Sequence, residues 1–214
     1  EITALKIISE SGVAAGAHPG YQDLVGFGRR NMKVAPAEVT DIVMYQIGAL
    51  EAFCRANGIA MQHVKPHGAM YNMAEKDEKL AEAICQGIKA VNPDLILLGP
   101  GSGKMVKAAK ALGLKTAGEV FADRAYMEDG TLVPRSQEGA MITDEEEAVA
   151  RVLEMVQKGT VTAITGKKIE VQADSICVHG DGQKALLFVQ KIRSELEKAG
   201  VVIAPMKEVI VGES

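Results

Sequence analysis

Four histidines are all that this 214-residue chain contains, and two of them, His63 and His67, stand with Lys65 in the short stretch MQHVKPHGAMYN, Met61–Asn72. An imidazole moves protons or ligates metal near neutral pH, and an ammonium clamps an anion or, when desolvated, serves as a base. The other two imidazoles, His18 in VAAGAHPG and His179 in SICVHGDG, also follow short apolar runs. Asp123 and Arg124 follow GEVFA in the same way, and Asp181 stands two residues past His179. Groups of acid, base and ligand type therefore cluster just after segments that read as strands. In α/β folds the C-terminal strand ends converge on one face, and that face carries the site. The pattern predicts one site drawn from His18, His63, Lys65, His67, Asp123, His179 and Asp181. His63 and Lys65, two apart on a strand, share a face.

Binding groups for an anion are present as well. The long segment FADRAYMEDGTLVPRSQEGAM, Phe121–Met141, supplies Arg124 and Arg135, both able to fork onto a carboxylate or phosphate. A loop of that length is expected to be a lid or a binding element. GPGSGKM, Gly99–Met105, invites a phosphate-loop reading but fails its spacing, since Leu98 and Met105 occupy the required Gly and Ser/Thr positions. What remains is a turn at Gly101 and Ser102, opening a helix whose N–H groups could meet an anion. A divalent metal is a further expectation, with His18, His67, His179 and Asp181 the leading ligands and His63 and Asp123 also of suitable type. Without a metal, an Asp or His would act as general base. No serine sits in a GxSxG elbow and Cys177 falls inside a strand, so a nucleophilic triad is not expected.

The elements that must position these groups follow from hydrophobic spacing. Strands are expected at Val13–Ala17, Ala60–Val64, Leu95–Gly99, Thr116–Phe121, Ser175–Val178 and Val201–Ala204. Apolar residues at three- and four-residue spacing predict helices over Ala37–Asn57, Lys79–Val91, Asp144–Gln157 and Lys184–Ala199. Strand then helix, repeated, implies parallel strands covered by helices. The polar strand ends favour a closed, TIM-like barrel over an open sheet. Thr160–Gln172 reads instead as a β-hairpin. Length and composition fit one domain over residues 1–214, with 47% hydrophobic and 24% charged residues. The net charge of −4 gives no reason to expect nucleic acid or an anionic membrane as partner. No apolar run approaches a membrane span. Three cysteines without CxxC spacing read as free thiols in a reducing cytoplasm. The chain opens at Glu1 inside an apparent helix, EITALKIISESG, so residues preceding Glu1 are expected.

The segments GAHPGYQD, GFGRR, YQIGAL, HVKPHGAMYN, EVFADRAY, DGTLVPRSQEGA and CVHGDG together resemble the LamB/YcsF family across nearly the whole chain. That resemblance implies an irregular (β/α) barrel of the glycoside hydrolase/deacetylase type. It implies the activity of an ATP-dependent 5-oxoprolinase, which opens 5-oxo-L-proline to L-glutamate with ATP as co-substrate and with partner subunits B and C. Family members open with strands ending in Asp-Leu-Asn and Cys-Gly-Phe-His type motifs, which this sequence does not contain. Two alternatives stand beside this reading: a metal-dependent carbohydrate or amide deacetylase of the same superfamily, and a non-catalytic accessory subunit.

Overall fold

The computed structural model describes residues 2–179 and 185–211, so Asp181 lies outside the described residues. The chain divides into two compact units, 1–99 with 103–117, and 100–102 with 118–214.

The first unit holds α1 (Ile2–Ser11), β1 (Ala15–Ala17), α2 (Pro36–Ala56), β2 (Met61–Val64), α3 (Gly68–Ala74), α4 (Glu78–Val91), β3 (Ile96–Gly99) and α5 (Lys104–Ala111). Its strands are parallel, with β2 between β1 and β3; Ala17 pairs with Val64 and His63 with Ile96. All four residues of β3 are buried, as expected of a parallel strand covered on both faces. Pro36 occupies the first turn of α2, where its missing N–H costs nothing. Val39, Val43 and Ile47 form the buried stripe of that helix at four-residue spacing. Asp77 caps α4 by accepting from Lys79 N and Leu80 N, and Leu80, Ile84 and Ile88 are its buried face. The helix α4 packs against both α2 and α5.

β4 (Lys115–Phe121) carries the chain into the second unit, which continues with α6 (Glu145–Lys158), β5 (Thr160–Thr162), β6 (Lys168–Glu170), β7 (Ser175–Cys177), α7 (Ala185–Lys198) and α8 (Met206–Val211). β4 and β7 are parallel, with Glu119 opposite Ser175 and Phe121 opposite Cys177. β5 and β6 form the expected hairpin. The residues between β4 and α6 are not an open loop. Ala125, Val133 and Ala140 make a small buried core of their own, tied by Ala125 N to the Ala140 carbonyl and Val133 N to the Ala125 carbonyl.

The strand expected at Val201–Ala204 is absent. Gly200, with φ +79°, ends α7 instead, as its N–H reaches the Glu197 carbonyl and Val201 N–H the Leu196 carbonyl. Those two bonds are the Schellman closure, and the apolar residue after the glycine belongs to it rather than to a ladder. Two short helices, α3 and α8, were not expected from the sequence.

Candidate functional site

Strand ends place a histidine pair in the first unit. The backbone ladder continues past β1 and β2, with Lys65 N bonded to the Ala17 carbonyl at 2.9 Å and His67 N to the Pro19 carbonyl at 2.8 Å. This brings His18 and His67 edge to face, 4.7 Å between centroids and 80° between planes. His67 Nδ1 and His18 Nε2 lie 2.9 Å apart. The outer nitrogens each meet a backbone carbonyl: His18 Nδ1 that of Lys65 at 2.6 Å, and His67 Nε2 that of Phe27 at 2.7 Å. Carbonyls only accept, so both outer nitrogens must carry hydrogen, and the inner contact requires one more. Satisfying all three bonds takes three protons, one more than two neutral imidazoles hold.

The Phe27 carbonyl is aimed by backbone that few side-chain-bearing residues adopt, with φ +53°. Asp23 holds the turn, accepting from Gly26 N at 3.0 Å, from Arg30 N at 3.4 Å and from the Arg30 guanidinium. The guanidinium's hydrogen bond, chiefly, holds the Asp23 carboxyl down at about 2. The turn is tied to α3 as well, because Ala69 N donates to the Gly28 carbonyl. Asp23 and Phe27 were missed in the sequence, where only the glycines on both sides of Phe27 hinted at a left-handed turn.

His63 is placed differently from its neighbours. Its ring lies against Gly16 so closely that a Cβ there would collide with Nε2. Its Nδ1 is buried without a hydrogen-bond partner among the described residues. Burial, and then the Lys65 charge, push its pKa down, which favours the neutral ring. The start of α5 has its own anion: Glu75 accepts from Lys104 N at 2.8 Å and from Met105 N at 3.3 Å. Burial raises the Glu75 pKa against those two hydrogen bonds. Gly101 packs on Gln172, and Ser102 sits in the turn before α5.

The second unit carries an acid–base arrangement of its own. Asp123 follows β4 and His179 follows β7, and these parallel neighbours bring His179 Nδ1 to 2.7 Å from Asp123 Oδ2. Arg135, from the segment between β4 and α6, puts Nη2 3.1 Å from His179 Nε2. Both contacts fix one tautomer. A carboxylate accepts, so Nδ1 bears the hydrogen; a guanidinium only donates, so Nε2 offers its lone pair. Phe121 stacks on the imidazole at 6.2 Å and 24°. A cavity of about 240 Å³ opens there, lined by Asp123, Met141, Thr143, Asp144, Val178 and His179 among others. Arg124 points elsewhere: it is 4% exposed, and its Nη2 donates to the Val133 carbonyl at 2.6 Å, inside the small core. Among the described residues no group of three or more His, Cys, Asp and Glu could hold a metal ion. Nor is any described helix long and apolar enough to cross a membrane.

Parallel strands each followed by helix, with imidazoles, carboxylates and cations at their C-terminal ends, define an α/β protein of the TIM-like barrel class. The chain belongs to the LamB/YcsF family, whose profile matches residues 2–211. It is 61% identical to the A subunit of 5-oxoprolinase from Clostridium beijerinckii over 205 residues, 96% of this chain and 80% of the relative. The corresponding protein of Pyrococcus abyssi is 51% identical over 206 residues, again 96% of this chain and 81% of the relative. The crystal structure of the lactam utilization protein from Thermus thermophilus superposes with a TM-score of 0.87 at 44% identity, covering 94% of this chain and 81% of that one.

Proposed function

We propose that this chain is the A subunit of a 5-oxoprolinase and opens 5-oxo-L-proline to L-glutamate. The observation that carries the reading is the Asp123–His179 pair, a base of fixed tautomer at the rim of a small cavity with a guanidinium beside it. The names of relatives at 61% and 51% identity support it, as does a neighbour titled a lactam utilization protein.

A five-membered lactam is a stable amide, and opening it at neutral pH benefits from coupling to ATP. Transfer of a phosphoryl group to the lactam oxygen makes the ring carbon electrophilic. Water then attacks that carbon, His179 Nε2 takes a proton from the water, and Asp123 steadies the imidazolium through Nδ1–H. The ring C–N bond breaks, the nitrogen leaves protonated as the amine, and the carbon remains as a glutamyl phosphate. A second water cleaves the C–O bond to phosphate, giving the carboxylate of glutamate and free phosphate. Arg135 pairs with the substrate carboxylate. His18, His63, Lys65, His67 and Asp181 join this proposal on their strand-end or adjacent positions alone, whereas buried Arg124 braces the segment that carries Arg135. ATP is the co-substrate, and subunits B and C are the partners.

The test is glutamate release from 5-oxoproline by the full-length protein, with and without ATP and subunits B and C. Release that depends on all of these is the expected result. Amide cleavage without ATP, accompanied by stoichiometric metal, would reject the proposal in favour of a metal-dependent deacetylase.

A further inference from the structure

We infer that Arg135 makes the substrate's carboxylate a condition of turnover as well as of binding, because its guanidinium covers the lone pair of His179 Nε2 until a carboxylate draws it away. The inference rests on the lactam-opening reading of this site.

The geometry leaves His179 one basic nitrogen. Nδ1–H is committed to Asp123 at 2.7 Å, so only Nε2 can take a proton from water. That same atom accepts from Arg135 Nη2 at 3.1 Å. A lone pair engaged by a guanidinium N–H is not available to a water molecule. An arginine does not give up its proton, so the contact cannot relay one; it can only be broken.

Among the described residues little holds Arg135 where it is. The side chain is exposed, and its other contact with them is Nη1 to Met141 Sδ at 3.6 Å, a weak acceptor. No carboxylate among the described residues lies within ion-pair distance of it. A ligand carboxylate can offer the fork two charge-assisted bonds, where the imidazole offers one neutral acceptor. Pairing of Arg135 with the ligand therefore uncovers the base in the act of recognition. A lactam of the same ring without the carboxylate, 2-pyrrolidinone, would enter the cavity and leave the base covered. Its defect would fall on kcat as well as on KM.

The test reads the lone pair directly. Long-range 1H–15N spectra of the full-length protein report His179 Nε2, assigned with His179→Gln and recorded well above the pH at which imidazoles titrate. In the wild type the Nε2 signal should lie at a hydrogen-bonded position. It should move toward a free lone pair in Arg135→Ala, and move likewise when 5-oxoproline or acetate is added to the wild type. 2-Pyrrolidinone should leave it in place. In the complete 5-oxoprolinase, Arg135→Ala should narrow the kcat preference for 5-oxoproline over 2-pyrrolidinone by about 10-fold or more. Identical Nε2 signals in wild type and Arg135→Ala overturn the inference, as does a signal that no carboxylate moves, whatever the activity. Glutamate release with an unmoved signal overturns it while the proposed function stands. No glutamate release under any condition, with the signal still moved by carboxylates, rejects the proposed function and leaves the covering contact in force.

Discussion

In the proposed role of base, His179 is governed by two neighbours that act on different nitrogens, Asp123 on Nδ1 and Arg135 on Nε2. Asp123 fixes the hydrogen on Nδ1 at 2.7 Å, and this is the contact whose loss should show in chemistry rather than in folding. Asp123→Asn allows the wrong tautomer, so kcat for glutamate formation should fall by roughly 10²–10⁴ with far-ultraviolet circular dichroism unchanged. Wild-type turnover in that variant would remove His179 from the role of base. A second residue-scale prediction concerns Asp23. Its carboxyl titrates at about 2, below the ordinary 3.8, so the folded state holds fewer protons than the unfolded chain between those values. The sign follows: this contribution to stability is whole above about 3.8 and disappears as the pH falls through about 2. Asp23→Asn should flatten the acid limb of stability against pH in denaturant titrations and leave the neutral-to-alkaline limb unaltered in shape. The strand-end histidines and Asp123 were legible in the sequence because polar residues after apolar runs have a geometric meaning in α/β folds. Asp23 was not, since a carboxylate that braces a turn by binding backbone N–H groups looks like any loop aspartate.

Elements explain how His63 is seated. β1 and β2 approach so closely at Gly16 that the His63 ring fills the space of an absent side chain. Gly16→Ala should lose about 1–3 kcal/mol through overpacking. Combining it with His63→Ala should recover part of that loss, measured as a coupling energy in a double-mutant cycle. Additive losses would place the ring elsewhere. The start of α5 gives a second case at this scale. Glu75 closes the orphan N–H groups of that helix, so Glu75→Ala should cost about 0.5–2 kcal/mol by thermal or chemical denaturation. Here the sequence pointed to an anion but not to its source: a carboxylate twenty-nine positions upstream carries no local signature. Helix starts rest on local chemistry at Pro36, in the first turn of α2, and at Asp77, the cap of α4. The apolar run Val201–Ala204 misled for the opposite reason, since hydrophobicity alone does not say whether a segment closes a helix or joins a ladder. The residues between β4 and α6 were expected to be a lid or a binding element. Their private core of Ala125, Val133 and Ala140 braces the segment that carries Arg135, with buried Arg124 as one of its struts.

Across the whole molecule, the alternation of strand and helix conveyed the α/β class because burial on both sheet faces forces near-continuous apolar strands, and β3 is the plain instance. Composition also conveyed the thiol chemistry. Cys54 and Cys85 are buried, and burial pushes the Cys85 thiol up to about 12 and raises that of Cys54 as well. Neither should react with iodoacetamide in the native protein at neutral pH, and both should react once it unfolds. Mass spectrometry of alkylated peptides would check this, and rapid native labelling of Cys85 would contradict the packing of α4 on α5. One consequence follows from the turn at Phe27. What steers His67 there is a main-chain oxygen, and every amino acid has one. Descent can therefore keep that oxygen while exchanging the ring at position 27, at the loss of its edge-to-face contact with His67, provided the replacement tolerates the bend: glycine would inherit the office easily, whereas valine would forfeit it.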